Sequence, residues 1–193
     1  MNNPYLFDEQ DFGYIFQSMG IHTFKFPFEV TRGEYISISY VVYEKGREVS
    51  RGDVIEDFQL ELDLRMDHHL ARKDTTVFHR IYCIEQGDSI LKLHFALPGI
   101  VVWREIDLSR VLLGSYTATL NIDPALPEKR AILYYYANFK DNDSAFLECA
   151  TGTSVERLIA AYDMAVVVFA ERISRERAKT ILEEEYFETR HNL

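Results

Sequence analysis

The sequence predicts an acidic α+β protein: an antiparallel β-sandwich or open barrel of about eight strands, followed by a long C-terminal helix, or two helices, packed on it. Three observations predict this. Phe and Tyr are abundant, at 13 and 12 residues against a single Trp, and both favour pleated, half-buried surfaces. Short apolar or alternating runs recur between turn signals over residues 21–150. Beyond residue 150 the apolar positions take up helical spacing. The chain of 193 residues reads as one domain, residues 1–193, without linker or low-complexity tract. At this size a fold buries roughly 70% of its unfolded surface, so no disulfide or metal staple is required.

Residues 1–20 form an N-terminal arm or short helix. Phe12, Ile15, Phe16 and Met19 recur at helical spacing, although Gly13 weakens the helix. These side chains need burial, which predicts that the arm packs on the body of the protein.

Residues 21–150 form the β-rich body. Phe58–Met66 alternates apolar and polar residues without a break, the pattern of a strand with one face on a core and one in water. Tyr35–Tyr43 and Thr75–Ile84 are β-branched and aromatic on both faces and predict doubly covered strands. Ser89–Phe95, Ile100–Ile106, Ser115–Ile122, Arg130–Phe139 and Ser144–Cys149 complete the set. Two similar turns, Glu44-Lys45-Gly46 and Glu85-Gln86-Gly87, predict three-residue hairpin loops with a left-handed glycine and a bulge.

Residues 151–193 form the helical segment. Thr153 and Glu156 have the spacing of a capping box. Val155, Leu158, Ile159, Tyr162, Val166, Phe169 and Ile173 follow at helical spacing, and Ser174 can cap a second helix. Between Leu158 and Ala170 the only charge is Asp163. A helix so apolar all round needs cover on more than one side. The run Ala165–Phe169 also fits a buried strand.

The formal net charge of −10 opposes binding to nucleic acid or to anionic membrane surfaces and favours solubility. The N-terminal ten residues carry neither a basic region nor an apolar run, so the sequence predicts no secretory signal and a reducing cytoplasm. No apolar stretch is long enough for a transmembrane helix. Cys83 and Cys149 do not make a disulfide framework, and Cys83 sits in an apolar strand as a small hydrophobe.

Motifs that carry chemistry are sparse. His79 and His94 lie on adjacent strands of one hairpin. A two-residue Gln86-Gly87 loop sets the imidazoles face to face as the start of a zinc site, whereas the bulged loop pairs His79 with Leu93 and His94 with Phe78. His68 and His69 lie in a polar loop at no zinc-motif spacing. Asp141-Asn142-Asp143-Ser144 opens like a calcium loop but continues with Ala145 and Phe146, which fits an Asx-type turn. Thr151-Gly152-Thr153-Ser154 matches no phosphate-binding motif, and Glu183-Glu184-Glu185 reads as a solvated helix face. Tyr134-Tyr135-Tyr136 puts tyrosines on both faces of one strand, which ordinary packing explains as well as a binding platform does.

No catalytic or cofactor-binding residue emerges. The sequence favours a non-catalytic structural or protein-interaction domain. A twofold partner or the N-terminal arm can supply the second cover of the C-terminal segment, and the sequence predicts a homodimer with Ala160, Met164, Val167 and Val168 among the buried residues. The alternatives are a small-molecule-binding β domain and a metal-assisted enzyme using His68, His69, His79 or His94.

Overall fold

A computed structural model describes residues 9–32, 34–53, 75–87, 89–97, 100–119, 122–141, 154–174, 176–177 and 180. Eleven elements follow in chain order: α1 (Glu9–Ser18), β1 (Ile21–Val30), β2 (Glu34–Glu44), β3 (Arg47–Asp53), β4 (Thr75–Gln86), β5 (Ile90–Leu97), β6 (Ile100–Asp107), β7 (Val111–Ala118), β8 (Arg130–Phe139), α2 (Val155–Ala161) and β9 (Met164–Ser174). The strands form two sheets, β1-β4-β5-β6 and β3-β2-β9-β8-β7. The pairs β4–β5, β5–β6, β2–β3, β2–β9, β7–β8 and β8–β9 are all antiparallel. The chain divides into two compact units, one of Met1–Phe26 and His79–Arg110, the other of Pro27–Phe78 and Val111–Leu193.

The antiparallel β character is as the sequence predicts; the long C-terminal helix is not. The helix stops after seven residues, and the valine run is β9, the central strand of the five-stranded sheet. Two causes act together. Val166, Val167 and Val168 are β-branched and stiff at χ1, which favours the pleated backbone. A central strand is covered on both faces, and Met164 through Val168 are all buried. A continuous apolar run satisfies the helical period as well as any other, which is why the spacing misleads. Tyr162 is the C-cap of α2, and Asp163 splices β9 into place: its carbonyl accepts from Lys45 N at 2.7 Å, and its carboxylate accepts from Phe139 N at 3.1 Å. The strand then pairs with β2 from Glu34↔Ser174 to Glu44↔Met164, and with β8 on its other side.

One cap differs in detail and another is as expected. Ser154, not Thr153, is the N-cap of α2, its side chain accepting from Arg157 N. Ser174 accepts from Arg177 N at 3.2 Å, as a cap should, and residues 176, 177 and 180 are helical. The helix α2 folds back on the sheet it precedes. Leu158 packs with Tyr136 and Ala165, and Tyr43, Tyr134, Ile159 and Tyr162 close around them.

The first predicted bulged turn is instead a two-residue loop. Glu44 pairs with Arg47, and Lys45 and Gly46 take φ of 47° and 79°, the type I′ geometry that matches strand twist. The bulge lies further along β3, where Val49 falls between the pairs Tyr43↔Glu48 and Val42↔Ser50. At the second turn Gln86 pairs with Ile90, and Gly87 has φ 60°.

Both edge strands of the five-stranded sheet carry a glycine roofed by a tyrosine. The Tyr40 ring of β2 lies over Gly52 of β3, and the Tyr135 ring of β8 lies over Gly114 of β7. Tyr40 pairs with Val168 and Tyr135 with Val166, so both rings flank one face of β9. The ring supplies the packing that the glycine lacks. The β3 edge is charged as well, with Arg51 donating to both Glu48 oxygens at 2.6 and 2.7 Å.

The predicted strands Phe58–Met66 and Ser144–Cys149 lie outside the described residues.

Candidate interaction surface

In the four-stranded sheet the register, not the alternation alone, decides which residues share a face. Ile81 pairs with Phe95, Cys83 with Leu93, and on the next strand Phe95 with Val102 and Leu91 with Ile106. All seven of these side chains are buried and form one apolar face. The opposite face is therefore built from the residues between them.

Across that opposite face the strands line up three rows. Tyr82, His94 and Trp103 are direct cross-strand partners on β4, β5 and β6. On one side stands the row Arg80–Ala96–Val101, on the other Ile84–Lys92–Glu105. Trp103 is 57% exposed and Val101 54%, whereas Tyr82 and His94 are half-buried. The His94 and Trp103 rings stack with centroids 6.2 Å apart and planes inclined by 26°. Lys92 Nζ lies 2.9 Å from Glu105 Oε1 and borders the aromatic row with a neutralised pair. Three strands at the usual spacing make this row a band about 10 Å wide.

The electrostatics of His94 suit a contact surface. Burial, and then the nearby Lys92 ammonium, hold its pKa below the ordinary histidine value of 6.5. Its Nε2 is buried without a hydrogen-bond partner among the described residues. A neutral imidazole between two aromatic rings serves stacking; it is not arranged as a proton relay.

The residues singled out in the sequence are distributed elsewhere. His79 is buried on the apolar face of β4, the face opposite to that of His94. The hairpin adopts neither register considered above: His94 faces Tyr82, and the two histidines do not meet. Among the described residues no group of three or more His, Cys, Asp or Glu is placed to hold a metal ion. His68, His69, Asn142, Asp143, Cys149, Thr151 and Glu183 to Glu185 lie outside the described residues. Asp141 itself forms an exposed ion pair with Lys45 at 3.9 Å.

Cys83 is buried, and desolvation pushes its thiol far above the ordinary range, so it carries no reactive thiolate. Tyr135 and Tyr136 are buried, and Tyr134 packs beside α2, so these three tyrosines serve packing. Met164, Val167 and Val168 are buried within their own sheet, while Ala160 is exposed on α2. Within the chain, α2 packs on one side of the sheet through Leu158 against Tyr136 and Ala165.

Ser37 donates to both Asp53 oxygens at 3.3 and 3.1 Å. This pair ties the end of the edge strand β3 to β2, a structural task for a buried hydroxyl. Among the described residues no helix is long and apolar enough to cross a membrane.

The helix α1 also departs from expectation. Ile15, Phe16 and Met19 lie on one helical stripe and are 40%, 42% and 63% exposed. The arm therefore does not bury this stripe.

No protein-family model, curated protein or solved structure matches the chain.

Proposed function

We propose that this chain is a non-catalytic interaction domain whose contact surface is the open face of β4, β5 and β6, and that its partner is a second copy of the chain. The observation that carries the reading is the in-register row Tyr82–His94–Trp103, with Trp103 and Val101 more than half exposed on a β-sheet whose other face is packed. Contiguous apolar surface of this kind marks interaction sites, and Trp and Tyr dominate the energetics of interfaces. Arg80 and the Lys92–Glu105 pair supply a polar rim. The reading keeps the protein acidic, soluble and cytoplasmic, as the sequence suggests.

Sedimentation velocity of the wild type and Trp103→Ser across nanomolar to tens-of-micromolar protein tests it. The reading expects wild type to pass from monomer to dimer and the variant to remain monomeric at the same concentrations, with its thermal midpoint little changed. A wild type that is monomeric throughout, or a variant that associates equally well, overturns it.

A further inference from the structure

We infer that the element covering this face is helix α1 of the second copy, each protomer lending its N-terminal helix to the sheet of the other about a twofold axis. The inference rests on the preceding reading of the sheet face as a contact surface. Two exposed apolar surfaces stand in the same compact unit: the stripe Ile15–Phe16–Met19 on α1 and the band around Trp103 and Val101. Neither covers the other within the chain.

The junction between α1 and β1 explains why. It is two residues long, and both of its backbone N–H groups and the Gly20 carbonyl are hydrogen-bonded. Met19 N donates to Ile15 O at 3.2 Å and to Phe16 O at 3.0 Å, Gly20 N donates to Gln17 O at 3.0 Å, and Glu85 N donates to Gly20 O at 2.9 Å. Gly20 has φ 72°, and a Cβ there would stand 3.3 Å from Glu85 O, so the junction is tight and admits glycine best. A helix held this way has no slack with which to fold back over its own sheet. A second molecule meets no such restriction.

Twofold exchange also closes the assembly, because each copy offers one helix and one face. A ten-residue helix on a sheet face, counted twice, reaches on the order of 1,000 Å², the area a specific interface needs.

The chain has a single tryptophan, so its emission reports this face alone. The test uses two full-length variants. The arm variant Ile15→Ser/Phe16→Ser keeps Trp103; the face variant Trp103→Ser keeps the arm and has no tryptophan. Both alter only exposed side chains, and the single Phe16→Ser stands as a milder second arm variant. The inference expects the arm variants to associate about tenfold or more weakly than wild type, a loss of roughly 1.4 kcal/mol or more. Trp103 emission in the double arm variant then stays at long wavelength under conditions where wild type is blue-shifted. Adding the non-emitting face variant then blue-shifts the arm variant's emission, because its intact arm covers the intact face.

Arm variants that dimerise like wild type, with Trp103 covered, overturn the arm exchange while the contact-surface reading stands. A mixture that shows no blue shift overturns it as well. A face variant that dimerises like wild type removes the contact-surface reading itself, and the arm exchange with it.

Discussion

The two sheets treat their apolar surface differently. In the five-stranded sheet the central strand β9 is buried through Met164–Val168, and the edge glycines Gly52 and Gly114 lie beneath tyrosine rings. In the four-stranded sheet one face is packed by Ile81, Cys83, Leu91, Leu93 and Phe95, while the other leaves Trp103 and Val101 in solvent. The difference teaches that aromatic content alone does not locate a binding surface. The tyrosine triplet Tyr134–Tyr136 serves packing, whereas the single Trp lies on the open face.

Substitutions can break this comparison, and the largest effect is expected at the centre of the sealed sheet. Val167→Asp places an unpaired charge at a position with 0% exposure. Its cost, about 3–5 kcal/mol or more, is comparable with the whole stability of a domain. Loss of the cooperative thermal transition in calorimetry is the expected outcome. Next comes Gly114→Ala, whose new methyl collides with the buried Tyr135 ring and hydroxyl. We expect a loss of about 1–3 kcal/mol by urea denaturation, partly recovered when Tyr135→Phe removes the nearest atom. Gly52→Ala, against the Tyr40 ring at the β3 edge, should cost less, because a Cβ would meet that ring 2.7 Å away at its outer end.

Much of the β architecture is legible in the sequence, and the failures have physical reasons. Arg130–Phe139 is a strand from end to end, because its apolar residues serve a sheet covered on both sides. β1 hides behind Pro27 despite the alternation Phe24, Phe26, Phe28 and Val30; proline is tolerated there because β1 is an edge strand. β3 reads as REVSRGD, charged as an edge should be and so without an apolar signature. β9 stays open between helix and strand because its valine run has no period to distinguish the two.

The candidate surface is illegible for a related reason. In β6 both Val101/Trp103 and Val102/Ile106 look like core sets, and only pairing with Phe95 and Leu91 shows which set is buried.

Smaller effects sharpen the contrast from the open side. Trp103→Ser should change monomer stability by no more than about 1 kcal/mol, since it removes only a stacked cross-strand pair at an exposed site.

A pH effect smaller still follows from two histidines. Burial lowers the pKa of His22, partly offset by Glu85, and burial with Lys92 lowers that of His94, whose other neighbours across the strands are Tyr82 and Trp103. Below 6.5 the unfolded chain therefore binds more protons at these sites than the folded one. Their contribution is fully present above 6.5 and is lost as pH falls through the lower folded values. Between pH 6.5 and about 5, above the carboxylate range, the urea midpoint should fall, and less so in His22→Phe and His94→Phe.

The most direct measurement is iodide quenching of Trp103 in the wild-type protein as a function of concentration. The sole tryptophan is more than half exposed in the single chain. The account predicts strong quenching at nanomolar protein and a large loss of quenching, with a blue shift, at tens of micromolar. Quenching that stays equally strong across the whole range would contradict the claim that this face is a contact surface.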